Sequence, residues 1–381
     1  FLDGDGLFLL LSLGGLGALV GLAEVLRMWG ISGRTTRRLV HTGVSLFVAS
    51  TPFFFVRLLP VYGLAGLFVL LNAGARLKHW WPGIHAARPT SWGTVALPLS
   101  VLPALAATWT VGPDRVLAFQ AAYLVLGLAD PAASGVGEWA NSDADARPFT
   151  VAGSLSFAGI ALGLTTLLLT LATPRSPFHV LGAALGVTVV ATVVEAISRR
   201  GWDNFFVVAA VILVLVPLDI GVLTVSQMGG ALLVGGAFAG IAYGVGALNQ
   251  RGAATGGLFA ASLVGLGGGA WIVPGLVFFG LSSALTSSAD ESREESGRTQ
   301  AQVLANGGVA WVALAVASIA PAGTSAIQLA YVAFVGALAA AAADTWATEL
   351  GMGALSRPWS LREWGQVPAG TSGAISLVGT G

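Results

Sequence analysis

The chain has 381 residues, 55% hydrophobic and only 9% charged, with a mean hydropathy of +0.82. A soluble domain carries about 25% charged residues, so a soluble globular protein is excluded; a net charge of zero says nothing about partners, and no nucleic-acid partner is expected. There is no cysteine, which excludes disulfides, thiolate metal sites and a cysteine nucleophile.

The composition predicts an all-α polytopic membrane protein. Its 53 glycines suit close helix packing in lipid. A span needs about 20 apolar residues. Apolar stretches of roughly that kind fall near 6–26, 39–56, 60–75, 92–110, 115–137, 151–172, 178–197 and 204–219. A second series follows near 227–247, 255–268, 271–288, 303–320 and 326–348, with a further start at 371. The reading is therefore about 13–14 transmembrane helices. The first residue is Phe and the last lies in an apolar segment, so natural termini are expected beyond both ends. No cleavable signal pattern is seen.

Of the 18 basic residues, all but Arg57, Arg115 and Arg175 fall in alternate loops. The positive-inside rule then puts those loops in the cytoplasm and the N-terminus outside, in the inner cell membrane. The stretch Pro217 to Gln227 is the expected joint between two domains, 1–220 and 221–381.

In the first part, Arg37-Arg38 opens a span with His41 one turn further on. Asp130 lies inside an apolar span, before Pro131 and the glycines Gly135 and Gly137. Pro and Gly are expected to loosen the helix there and expose backbone N–H groups. An acid able to hold Mg²⁺ beside such groups describes a nucleotide phosphate site. Thr150-Val151-Ala152-Gly153-Ser154 reads as a helix N-terminus open to anions. Glu195 ends one span and Asp203-Asn204 opens the next.

The second part gathers Ser282, Ser283 and Thr286, then Gln302 through Gly308, then Asp344-Thr345-Trp346-Ala347-Thr348-Glu349, and then Thr371-Ser372. A carboxylate inside such an apolar run costs about 2.5–3.5 kcal/mol. Asp344 and Glu349 point roughly 140° apart on a helix at 100° per residue. They meet one ligand only where the helix frays or breaks. All these clusters, in both parts, fall on the basic-loop side. No Walker A, protein-kinase, nucleophile-elbow or HExxH pattern is present. Phosphoryl chemistry here would rely on carboxylate-held Mg²⁺, arginines and backbone amides.

Five stretches occur in order over about residues 35–210: Arg37-Arg38-Leu39-Val40-His41, Ser91 to Ser100, Leu128-Ala129-Asp130-Pro131, Ala152-Gly153-Ser154, and Glu195-Ala196-Ile197-Ser198 with Trp202-Asp203-Asn204. On these, the first part resembles the phytol kinase/dolichol kinase family of membrane CTP-dependent lipid kinases. The pattern departs at Glu138, where family members usually carry a basic run, and at Phe149, where they carry a lysine. Phe278-Phe279, Ser282-Ser283, Leu285-Thr286, Gln302 to Gly308, Asp344 to Gly351, and Val367-Pro368 with Gly370 to Gly373 mark the second part. It resembles the family of the plant phytyl-phosphate kinase of vitamin E synthesis, also known as a family of uncharacterised membrane proteins.

The resemblance implies a bifunctional enzyme whose partners are an isoprenoid alcohol, its monophosphate and membrane lipids. The first domain would phosphorylate the alcohol, such as phytol or geranylgeraniol, and the second would make the diphosphate. Both would use CTP or another nucleoside triphosphate with Mg²⁺. It implies Asp130 and Asp203 as metal ligands in the first site, with Arg38, Asn204 and Ser154 on phosphates and Glu195 or His41 on the hydroxyl proton. In the second it implies Asp344 and Glu349 on the metal. Ser282, Ser283, Gln302, Asn306, Thr345, Thr371 and Ser372 would bind substrate or nucleotide. Three alternatives stay open: a silent first site, a cytidylyltransferase-like lipid enzyme, and a lipid transporter.

Overall fold

Helix starts in this chain are written in hydroxyl and amide residues. Ser32, Ser176, Thr224, Asn249 and Thr299 each accept a backbone N–H of the following turn, which satisfies one of the orphan donors at a helix start. Thr224 with Gln227 and Thr299 with Gln302 complete reciprocal capping boxes. The structure is a computed structural model; it describes residues 4–78, 90–112, 115–140, 150–172, 174–289, 297–352, 357–368, 371 and 373–380.

The chain divides into two compact units, Phe1–Gly221 and Val222–Gly381. The first holds α1 (Gly4–Met28), α2 (Gly33–Phe54), α3 (Leu58–Leu77), α4 (Gly93–Ala107), α5 (Val116–Ala140), α6 (Val151–Ala172), α7 (Pro177–Ile197) and α8 (Asp203–Asp219). The second holds α9 (Val225–Gly244), α10 (Gln250–Ser262), a π-turn (Leu263–Gly267), α11 (Gly269–Ala289), α12 (Gln300–Ile319) and α13 (Ser325–Met352). Three two-residue antiparallel strands follow, β1 (Trp359–Ser360), β2 (Gly365–Gln366) and β3 (Ala374–Ile375), in the order β2-β1-β3. A short α14 (Leu377–Thr380) closes the described chain.

Among the described residues, eight helices are long and apolar enough to cross a membrane: α1, α3, α5, α6, α7, α9, α12 and α13. The protein is a multi-pass, all-helical integral membrane protein. The other helices between α1 and α13 follow the expected stretches but fall short of that length or apolarity. Helices α4 and α11 are apolar but short, and α2 begins with Arg34, Arg37 and Arg38, which lower its hydropathy. The span expected to start at 371 is instead β3 and a four-residue helix.

In the first unit α5 and α8 sit innermost. Phe119, Tyr123, Leu126, Val207 and Val211 are fully buried. Helix α5 packs on α2, α6 and α8. The Tyr123 hydroxyl meets Ser100 Oγ at 2.9 Å, giving a buried hydroxyl the partner it needs. In the second unit Trp271, Leu314, Phe334 and Leu338 form the main core cluster.

The three arginines of the sparse loops are all met by carboxylates. Asp5 accepts the backbone N–H of Val56 (2.9 Å) and of Arg57 (3.2 Å) and lies 4.0 Å from the Arg57 guanidinium. Asp219 pairs with Arg175 and its charge acts on Arg115. Arg175 also touches His179 Nε2 at 2.8 Å. The pairing fixes which ends of the first unit's helices lie together. The start of α1 meets the α2–α3 turn, and the end of α8 meets the start of α7.

Candidate active site

The site in the first unit grows from the crossing of α2 and α5. Gly127 lies so close to Ser45 that a Cβ there would overlap the serine side chain. That approach brings α2 hydroxyl and imidazole groups onto the α5 backbone. Pro131 has no N–H, so the carbonyl four residues earlier, on Gly127, loses its helical donor. Thr42 Oγ1 donates to that carbonyl at 2.8 Å, and His41 Nε2 lies 3.2 Å from the neighbouring Leu126 carbonyl. Helix α5 therefore runs unbroken through Asp130-Pro131. The loosened helix expected from Pro and Gly is corrected: the freed backbone group is satisfied from α2. His41 Nε2 also lies 3.5 Å from Asp130 Oδ2.

The turn between α7 and α8 brings two more acids. Glu195 feels the charges of Asp130 and Asp203, and Asp203 feels those of Asp130, His41 and Arg37. Among the described residues, Glu195 Oε2 and Asp203 Oδ1 are buried atoms with no hydrogen-bond partner. The turn is shaped by Gly201, whose φ of +84° suits glycine and whose missing Cβ would overlap the Gly93 nitrogen. Asn204 is not the helix cap; Trp202 takes that position. The Asn204 amide instead donates to the Gly93 carbonyl at 2.9 Å. Arg37 reaches Ser91 Oγ at 3.2 Å, and Arg76 lies over the Trp92 ring at 4.4 Å. Arg37, Ser91 and Gly93 are thus part of the site, although the sequence reading gave Arg37 no role there. The signal was their company with Trp202-Asp203-Asn204.

These groups open onto a cavity of about 380 Å³ between α1, α2, α3 and α4, inside the size range of small-molecule pockets. Arg37, His41, Thr94 and Asn204 line one end, while Leu13, Phe47, Val48 and Val61 line the other. The cavity is apolar with one polar end, where the lining residue His41 lies 3.5 Å from Asp130 and the lining residue Asn204 follows Asp203.

Arg38 takes a different partner. It forms a close ion pair with Glu138 and bonds Ser134 Oγ and carbonyl oxygen at 3.3 Å. Glu138 also lies 3.9 Å from Arg34. The residue that departs from the basic run therefore neutralises Arg38. Gly153, at the start of α6, packs against the Ala133 carbonyl, and Ser154 beside it is half-buried. Phe149 lies outside the described residues.

In the second unit, α13 is continuous through Asp344 and Glu349. The two carboxylates leave opposite sides, Asp344 exposed and Glu349 half-buried, so they do not form one metal site. Glu349 acts on Arg298; burial lowers the Arg298 guanidinium below its ordinary value and the Glu349 charge opposes that. Arg298 donates to the Ser282 carbonyl at 2.8 Å, and Trp346 Nε1 to Ser282 Oγ at 2.9 Å. Ser282 is fully buried, so it positions Arg298 and Trp346. The Gln302 amide oxygen accepts the Thr299 N–H at 2.8 Å, which commits that oxygen to the cap of α12. Ser283, Asn306 and Thr345 are half-buried. Thr371 bonds the Pro368 carbonyl at 2.8 Å. Ser372 lies outside the described residues.

Among the described residues, no group of three or more His, Asp or Glu side chains is gathered to hold a metal. Mg²⁺ usually takes only one or two carboxylates and fills its shell with water and phosphate oxygens. The unpartnered oxygen of Asp203, which feels the charge of Asp130, fits that demand. In kind, then, the chain is a polytopic membrane protein with three half-buried acids, Asp130, Glu195 and Asp203, beside an apolar cavity. Residues 233–381 match the family described as Integral membrane protein DUF92. Neither curated proteins nor solved structures give a match.

Proposed function

We propose that the protein is a bifunctional membrane isoprenoid kinase. The first unit transfers a phosphoryl group to a prenyl alcohol, and the second adds another to the monophosphate. The observation that carries this reading is the apolar cavity whose single polar end meets His41, Asn204 and Arg37 beside Asp130, Glu195 and Asp203. A long apolar alcohol needs such a shape, and its hydroxyl would lie at the acids.

Phosphoryl transfer needs mainly positioning and charge neutralisation. The alcohol oxygen would bond to the γ-phosphorus of CTP or another nucleoside triphosphate as the β–γ bridging bond breaks. Arg37 and Asn204 would hold the reacting end. The hydroxyl proton would pass to His41, which lines the cavity, or to Glu195. Asp203 and Asp130 would hold Mg²⁺, which when bound neutralises developing phosphate charge. In the second unit Arg298 and Glu349 would mark the headgroup, with Asp344 at the exposed side. The acids and the basic loops share one side in the sequence reading, which supports cytoplasm-facing sites in the inner cell membrane.

The test uses purified protein in detergent with phytol or geranylgeraniol, Mg²⁺ and CTP or ATP labelled at the γ-phosphate. Label in both lipid mono- and diphosphate supports the reading. Nucleotide base retained on the lipid would instead mean a cytidylyltransferase-like enzyme. A second reading, in which the first unit no longer transfers phosphate, is favoured by the Glu138 carboxylate on Arg38; it predicts label only when prenyl monophosphate is supplied.

A further inference from the structure

The cavity of the first unit has a direction. Along α2 its lining runs from Arg37 to Thr51, roughly 21 Å at 1.5 Å per residue. Asn204 and Arg37 gather at the Gly93 end of α4, which marks the polar head. At the other end Asp5 ties the start of α1 to Val56 and Arg57, so that end lies at the α2–α3 turn. Behind the lining residues Thr51 and Val61, Phe8 packs as a stopper against Phe54 (5.6 Å between ring centres) and Phe55 (6.3 Å). Phe55, Val61 and Thr51 are all buried. The Thr51 hydroxyl is spent on the Val48 carbonyl at 2.7 Å, so it offers a ligand no free donor.

We propose that this end, lined by Thr51 and Val61 and backed by Phe55, measures the apolar tail and sets the chain length the first unit accepts. The proposal rests on the reading of this cavity as a lipid-alcohol site. A tail fitting the space buries its whole length; a longer one must displace the stopper. Each buried methylene is worth about 0.8 kcal/mol, so a misfit of two or more carbons is felt as about a tenfold change.

Two variants push in opposite directions. Val61→Trp fills the floor and Phe55→Ala opens it. With geraniol, farnesol, geranylgeraniol and phytol as competing substrates, Val61→Trp should lower kcat/KM for the longest alcohol about tenfold or more relative to the shortest. Phe55→Ala should shift the preference the other way. An equal change for every chain length overturns the proposal. A second measurement needs no variant. A long-chain alcohol carrying a diazirine at its tail end is irradiated with the wild-type protein, and the adducts are located by mass spectrometry. Adducts on Thr51, Val61 or Phe55 are expected; adducts confined to lipid-facing side chains such as Leu10 and Leu59, both exposed, overturn it. Floor adducts without phosphate transfer to any alcohol would leave the measuring floor standing and remove the kinase reading.

Discussion

Pro131 removes a backbone donor in mid-helix, and Thr42 supplies it from the neighbouring helix at 2.8 Å. Thr42→Val keeps the shape and deletes the hydroxyl, leaving the Gly127 carbonyl unpaired. The expected cost is about 1–3 kcal/mol, read as a lower thermal midpoint in detergent. Glu138 makes a second prediction at this scale. It holds Arg38 in a close ion pair, so Glu138→Gln should free that guanidinium for phosphate. The apparent KM for nucleotide in the monophosphate-forming step should fall several-fold, and an unchanged or higher KM would count against Arg38 as a phosphate contact. The sequence singled out Asp130, Glu195, Asp203 and His41, because carboxylates and imidazole are costly in an apolar span. It could not show that Asn204 serves Gly93, or that Ser282 serves Trp346 and Arg298. Those roles are set by contacts over long separations, and no local pattern encodes them.

At the scale of elements, apolar runs of span length placed most helices to within a few residues, because length and hydropathy act locally. The fates of Asp344 and Glu349 were legible as well. A five-residue spacing separates them by roughly 140°, and a continuous α13 keeps them apart. Two features escaped. The strands of residues 359–375 are too short to show a period, and whether α5 broke at Pro131 depended on Thr42 from another helix. Ion pairs between elements differ by exposure. Asp219 and Arg175 have side chains 12% and 24% exposed, and Asp219 also serves Arg115. Asp219→Asn leaves both arginines without that charge and should cost about 3 kcal/mol. Glu24 and Arg27 are 46% and 43% exposed, so Glu24→Gln should cost no more than about 0.5 kcal/mol. Unfolding of the two variants side by side checks the contrast.

Across the whole molecule, two compact units each gather acids, arginine and hydroxyl or amide groups. The two-step reading predicts separable losses in the full chain. Asp203→Asn should stop monophosphate formation from alcohol but leave diphosphate formation from supplied monophosphate. Glu349→Gln, which removes the charge acting on Arg298, should do the reverse, and loss of both products with either variant would sink the division of labour. The match of residues 233–381 to an integral membrane family covers nearly all the second unit, so that unit's variants are the natural place to begin.

The Asp5 tie also has a consequence for how the chain is made. Its partners, the N–H groups of Val56 and Arg57, lie 51 and 52 residues later. At roughly 5–20 residues per second of synthesis, they emerge about 3–10 s after Asp5 does. Until then this carboxylate has no backbone donors, and the end of α1 must keep it in water. Helix α1 can settle to its final depth only when the α2–α3 turn arrives, so the α1–α2 hairpin, and not α1 alone, is the unit that commits to the bilayer.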